Sequence, residues 1–281
     1  MRVAFFDLRR KLLAALASTA AGVPALALAA RNPTAPTPSA PADASAPPAA
    51  GSTPAERVTV GLALPAPPTG RWRFGVHYGG HERGLEVAVL DYRIEHDGRR
   101  YRIESTGRAE GLAALVYSGV MSQRSEGLIT RDGLRPERYW EQRGKRPERW
   151  AQLDHAAGQV VFSARPPVPL VAGVQDRLSV PVQLGLLARA APDRAAAGQT
   201  VVLPELGSSR IDSARYLSHG KVMLQTAGGP LAALHLERVA PRDADDARVD
   251  VWLGYDRDML PVRLRFIDPD GRVLDQLIRP D

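Results

Sequence analysis

From Gly70 onward the chain alternates apolar and polar residues in short runs separated by Gly, Pro and Asp. Trp72, Phe74, Val76 and Tyr78 fall on one side of the alternation, and Arg71, Arg73 and His77 on the other. Tyr101, Ile103 and Ser105 alternate with Arg100, Arg102 and Glu104, and Val249, Val251 and Leu253 with Asp250 and Trp252. Val262, Leu264 and Phe266 alternate with Arg263 and Arg265. Successive side chains of a strand point to opposite faces, so a period of two predicts antiparallel strands with one face in a core. Gly79-Gly80, Asp97-Gly98, Asp132-Gly133, Gly228-Gly229 and Asp270-Gly271 stand between runs, as hairpin turns require. The spacing predicts about ten to twelve strands in a barrel or sandwich.

Two stretches read as helical. Ser179 can cap a helix in which Val180, Leu184 and Leu187 share a stripe, with Pro181 tolerated in the first turn. The segment from Glu110 to Val120 is apolar, with Leu112, Leu115 and Val116 at helical spacing and Gly111 and Gly119 near its ends. In Leu85 to Ile94, Val87 and Val89 face one way while Ala88, Leu90 and Ile94 face the other. A strand apolar on both sides serves a core on one face and a pocket or covering helix on the other.

Before this domain the pattern vanishes. Residues 31–68 are mostly Ala, Pro, Ser and Thr, opening on Arg31-Asn32-Pro33 and closing on Pro65-Ala66-Pro67-Pro68. Such a stretch buries too little surface to offset its ordering entropy, so it is expected to be a disordered, extended stalk. In polyproline form it would reach roughly 100 Å. Residues 1–30 carry Arg2, Arg9, Arg10 and Lys11, then a charge-free run from Leu12 to Ala30 that ends in small residues. Basic start, apolar middle and small-residue exit predict an export signal, cut after Ala27 or Ala29, with an uncleaved membrane anchor as the alternative. Either way the remainder faces the periplasm, and the membrane is touched only through this N-terminal segment.

The net charge of +6 shrinks once the signal is set aside, because four basic side chains and one acidic one in residues 1–30 supply +3 of it. A mildly basic periplasmic chain does not call for nucleic acid; anionic lipid or glycan is the more available partner. The absence of cysteine excludes a lipobox anchor, disulfides, thiolate zinc sites and thiol nucleophiles.

No Gly-x-Ser-x-Gly, His-Glu-x-x-His or Walker loop occurs, and no catalytic residue or cofactor is expected. His77, His81 and Glu82 surround a turn, but two imidazoles on a polar strand face are more simply solvated than metal-bound, and no metal is expected. Asp243, Asp245 and Asp246 read as loop acids, and Asp268 and Asp270 as turn acids. The chemically biased stretch runs from Arg131 to Trp150, with seven basic residues, four acidic ones, and Tyr139, Trp140 and Trp150 among them. A hairpin turning at Gly144 to Pro147 and centred on Lys145 would set Trp140 opposite Trp150. Arg138, Trp140, Arg143 and Trp150 are therefore the candidate surface for a ligand or partner.

Three segments, Gln175-Asp176-Arg177-Leu178-Ser179, Val251-Trp252-Leu253 and Leu260-Pro261-Val262-Arg263, stand in an order that resembles the exported bacterial family called domain of unknown function 3108. The resemblance covers about residues 68–280. It implies a periplasmic β-rich domain and brings no activity and no catalytic residues.

The sequence thus predicts a mainly β domain over residues 69–281, an antiparallel curved sheet or open β-barrel-like domain with one or two short helices, on a disordered N-terminal stalk. The function expected is that of a non-enzymatic envelope protein that holds an apolar or amphipathic ligand, such as a lipid, in the concave face. The alternative is an envelope scaffold that binds protein or anionic glycan through the 131–150 hairpin. A hydrolase without a recognisable motif ranks third.

Overall fold

The computed structural model describes residues 62–111, 113, 114, 119–207, 210–239 and 248–280. The expected export signal, most of the stalk, most of the expected helix after Glu110 and the loop of Asp243, Asp245 and Asp246 lie outside these residues.

Eight strands come first: β1 (Gly70–Tyr78), β2 (Leu85–His96), β3 (Arg100–Ala109), β4 (Val120–Thr130), β5 (Gly133–Arg143), β6 (Arg149–Asp154), β7 (Gln159–Phe162) and β8 (Val168–Pro169). Helix α1 (Ser179–Ala190) follows. Six strands complete the chain: β9 (Thr200–Leu206), β10 (Ile211–Thr226), β11 (Gly229–Val239), β12 (Arg248–Gly254), β13 (Pro261–Ile267) and β14 (Val273–Ile278). The described sheet has 14 strands, more than the alternation predicted. The surplus is partly in the edge: β8 has two residues and β7 four, too few to display a period.

All strands join one antiparallel sheet in the order β8-β7-β6-β5-β4-β3-β2-β1-β14-β13-β12-β11-β10-β9. Neighbours in the sheet are neighbours in sequence except at one seam, where Phe74 pairs with Ile278 and Tyr78 with Leu274. The sheet curls but does not close. Its edge strands β8 and β9 are bridged by the segment before α1: Gln175 donates its amide N–H to Pro204 O, and Leu206 donates to Gln175 O, both at 2.8 Å. Leu153 and Val160 from one end of the sheet cluster with Leu206 from the other and with Val174 of the segment between them.

Helix α1 fills the concave side. Ten of its twelve residues are buried, so it has no solvent stripe, as an interior helix should not. The predicted stripe of Val180, Leu184 and Leu187 packs on Tyr216, Leu236 and Val251. The opposite stripe, Val182 and Leu186, packs on Phe74, Tyr92 and Ile94. Its strand neighbours are β5, β9, β12 and β13. Gly185 makes that approach possible, because a Cβ there would overlap the Met259 carbonyl. Among the described residues no helix is long and apolar enough to cross a membrane.

Candidate ligand site

The segment Gln175 to Ser179 has a structural task. Asp176 Oδ1 accepts the N–H groups of Leu178 and Ser179 at 2.9 and 3.0 Å, which satisfies donors that a helix N-terminus leaves over. The expected cap, Ser179, is instead the first helical residue, and its hydroxyl bonds back to the Asp176 backbone. The other Asp176 oxygen accepts from Ser125 Oγ of β4, which also lies 3.1 Å from Tyr101 Oη of β3. Tyr92 Oη donates to Leu178 O. Burial pushes the Asp176 carboxyl up to about 6, against the lowering effect of the hydrogen bonds from Ser125, Ser179 and Leu178. Gln175 Nε2 donates to Leu134 O, and Gln183 clamps the β4–β5 turn through Leu134 N and Asp132 O.

Beside this buried polar knot the inner face of β5 turns charged. Register sets Tyr139 opposite Ser125, Glu141 opposite Gln123 and Arg143 opposite Met121, so Tyr139, Glu141 and Arg143 share the concave face. Gln123 Nε2 donates to Tyr139 Oη at 2.9 Å, and Arg143 Nη2 donates to Glu141 at 3.2 Å. The Arg143 side chain is 13% exposed and Glu141's 9%. Burial lowers the Arg143 pKa; Glu141 opposes that shift, and the Arg177 guanidinium nearby adds to it. Burial, then Glu141, raise the Tyr139 hydroxyl, while Arg177 and Arg143 pull it down. The Arg143–Glu141 ion pair therefore lies inside the sheet, on the same face as Tyr139.

This group lies at an apolar end of the sheet. Met121 packs on the core from β4, and the row Met121, Gly107, Leu90, Phe74 crosses the inner face from there. At the same end Tyr78 pairs with Leu85, which is 51% exposed.

The predicted surface comes together only in part. Trp140 pairs directly with Trp150, as the hairpin reading requires. Trp140 lies under the Arg124 guanidinium at 6.0 Å, and the exposed Arg138 shares its outer face. Arg143 does not: an odd separation from both Trp140 and Arg138 turns it inward. The period of two already contained that separation. Asp176 was missed as a site residue because it sits in an irregular segment with no period to read.

The histidines are taken up in structure. His77 pairs with Glu86 at 3.4 Å, while His81 lies 3.1 Å from Asp275. Asp275 also accepts both Arg263 nitrogens, at 2.9 and 2.7 Å. His219, His235, Trp252 and the Arg263 guanidinium stack across four adjacent strands at 4.6, 4.4 and 4.3 Å. The described residues contain no group of three or more potential ligands placed to hold a metal.

The fold is an open, barrel-like antiparallel sheet plugged by a helix, with a buried polar knot and an Arg143–Glu141 ion pair on its inner wall. The chain belongs to the family described as protein of unknown function (DUF3108), whose model matches residues 73–276. Among solved structures it is similar to the beta-barrel-like protein of domain of unknown function DUF1849 from Brucella abortus, at 11% identity and a TM-score of 0.46, over 77% of this chain and 97% of that one. The hypothetical protein CT021 from Chlamydia trachomatis matches at 10% identity and a TM-score of 0.29, over 74% of this chain and 85% of that one. No curated protein matches the chain.

Proposed function

We propose that this chain is a non-enzymatic protein of the periplasm that binds an amphipathic lipid at the end of its concave face left to Tyr78, Leu85 and Met121. The single observation that carries this reading is the apolar rim. Leu85 is half exposed on the inner side of β2, and Tyr78 and Met121 are only partly buried beside the core. A rim of this kind next to a polar cluster is the usual make-up of a small-molecule site. Helix α1 leans on β5, β9, β12 and β13 and reaches Phe74, Tyr92 and Ile94, so the ligand belongs to the end of the concavity by Tyr78, Leu85 and Met121.

The test is native mass spectrometry of the full chain recovered from a periplasmic fraction, with extraction of bound material. A stoichiometric lipid is the expected result. A monodisperse protein with a clean apo mass would overturn the reading, and recovery only from the cytoplasm would overturn its location. A second reading, an envelope scaffold, is favoured by one observation: the Trp140–Trp150 pair on the outer face beside Arg124 and Arg138. Charge reversal at Arg138 would abolish partner capture in that case and leave lipid binding untouched.

A further inference from the structure

We infer that the corner where the outer face of β4–β6 meets the Tyr78, Leu85 and Met121 end of the sheet docks on the surface of an anionic phospholipid bilayer. The inference goes beyond the cavity reading and stands without it: occupancy of the concavity is read on the protein in solution, and docking on vesicles.

The corner is built around the β5–β6 turn. Gly144 donates its N–H to Val120 O at 2.8 Å, which ties the turn to the first residue of β4. Val120 points outward on the same side of β4 as Ser122 and Arg124, and it is 42% exposed. On this face Trp140 and Trp150 stand side by side, both half-buried, with the Arg124 guanidinium over Trp140. Arg138 shares the outer side of β5 with Trp140, and Lys145 and Arg146 occupy the turn; all three are exposed. Arg149, opposite Glu141, adds a fourth exposed cation on the inner side of the turn's foot.

Charge around this turn is out of balance. Arg138, Lys145, Arg146 and Arg149 form no ion pair among the described residues. The neighbouring carboxylates are committed to other arginines: Glu104 to Arg124, Glu126 to Arg102, Glu137 to Arg100 and Glu141 to Arg143. Asp154 lies at the far end of β6, where it accepts the N–H groups of Ala156 and Ala157. Glu148 in the turn offsets one of the four cations and leaves three positive charges in excess. Cations held close to an anionic leaflet gain from its surface potential. Indole rings settle at the level of the head groups, where one edge is apolar and the other wet. A soluble anionic polymer would use the cations and leave Val120 and the tryptophan pair bare.

Placement in the fold agrees. The described part of the stalk joins the domain at the opposite end, where Leu64 donates its N–H to Arg131 O and His96 Nε2 lies 2.8 Å from Pro67 O. Strand β5 begins beside that junction and ends at the cationic turn, one residue from the Arg143–Met121 cross-strand pair. The corner and the mouth of the concavity therefore share one end of the sheet.

The experiment is tryptophan quenching of the full chain by vesicles of brominated phosphatidylcholine, with or without phosphatidylglycerol. Bromine quenches indoles at contact range, so the signal reports the corner whichever other segment meets the bilayer, and Trp140→Phe with Trp150→Phe should remove it. Anionic vesicles are expected to bind at least about tenfold more tightly than neutral ones, and salt to reverse the binding. Lys145→Glu with Arg146→Glu should weaken binding to anionic vesicles at least about tenfold. Both residues lie in an exposed turn with no ion pair to lose, so this variant should fold. Arg99→Glu with Arg131→Glu changes net charge equally at the stalk end and should leave quenching unchanged. Absence of quenching, or equal quenching by both kinds of vesicle, would overturn the docking. Quenching that survives loss of both tryptophans would do the same. An equal loss in the two charge-reversed chains would reduce the effect to net charge and overturn the corner. Binding of dextran sulfate through Lys145 and Arg146 without vesicle quenching would make the partner a soluble polyanion and overturn the bilayer.

Discussion

Ser125 Oγ donates to Asp176 Oδ2 at 2.5 Å, and through this bond the helix inside the sheet is pinned to β4. The carboxylate holds the first turn of α1 with its other oxygen. One side chain thus fixes both where the helix begins and which wall it leans on.

Asp176 should govern stability between about pH 4 and 6. Its folded pKa, about 6, lies above the ordinary value of 3.8, so in that window the folded state holds a proton that the unfolded state has lost. Stability therefore rises as pH falls through 6 towards 4, by up to about 3 kcal/mol for a shift of some two units. Asp176→Asn keeps an acceptor for the two N–H groups and should flatten this slope at little cost at pH 7. Asp176→Ala should lose about 2 kcal/mol or more, with the cap and the Ser125 partner both gone. Urea unfolding of the three chains from pH 4 to 8 measures both effects.

Asp275 should behave in the opposite sense. Burial alone would raise its pKa, but hydrogen bonds from Arg263 and His81 and the Arg263 charge outweigh it and hold the carboxyl below its usual range. Its contribution is present above the unfolded pKa and is lost as acid drives pH down through the folded one. Asp275→Ala should cost about 3 kcal/mol at pH 7, because a nearly buried Arg263 is left without its partner. Replacing both residues by apolar ones should cost less than the sum of the single changes. Denaturant midpoints for the double-mutant cycle decide this.

Gly185→Ala should destabilise by about 1–3 kcal/mol, since the new methyl meets the Met259 carbonyl and the helix must shift. Gly158→Ala is the matching control. Nothing lies within 4 Å of a Cβ there, and only its left-handed φ of 65° is strained. That change should cost about 1 kcal/mol. Thermal melts of the two variants separate packing from backbone strain.

Trp140→Ala with Trp150→Ala should cost about 1 kcal/mol through the lost cross-strand pair and leave amphiphile affinity unchanged. Urea midpoints and native mass spectrometry of the double variant check the two halves of this expectation. A parallel loss of lipid affinity would relocate the ligand to the outer face.

The strands were legible because period two survives wherever one face is buried. Trp72, Phe74 and Val76 in β1 and Tyr101 and Ile103 in β3 sit as the alternation placed them. Opposition of Trp140 and Trp150 followed from the length of a hairpin. Helix α1 was legible too, but its all-round burial was not, because its second stripe is Val182 and Leu186 on a helix that also carries Gln183 and Gly185. The buried knot of Tyr101, Ser125 and Asp176 needs two facts that one strand does not contain: the path of the segment before α1 and the strands it meets. Long-range geometry set these, through Gln175 and Asp176. The family motif was visible as letters, and its role in tying edge strand β9 to the inner wall at β5 became visible only once those strands were known to lie on either side of it.

The order of the strands turns the chain inside out. The middle of the sequence supplies the rims of the sheet, and its two extremes supply the centre, where Arg279 donates to Arg73 O at 2.7 Å. Each arm, β1 to β8 and β9 to β14, is a string of local hairpins that can form quickly, while the β1–β14 seam must find itself across the longest possible loop. A circular permutant that joins the end of β14 to the start of β1 would convert that seam into one more hairpin. Its new ends, placed in the connection between α1 and β9, would leave every ladder intact, and it should reach the same native sheet faster than the parent chain.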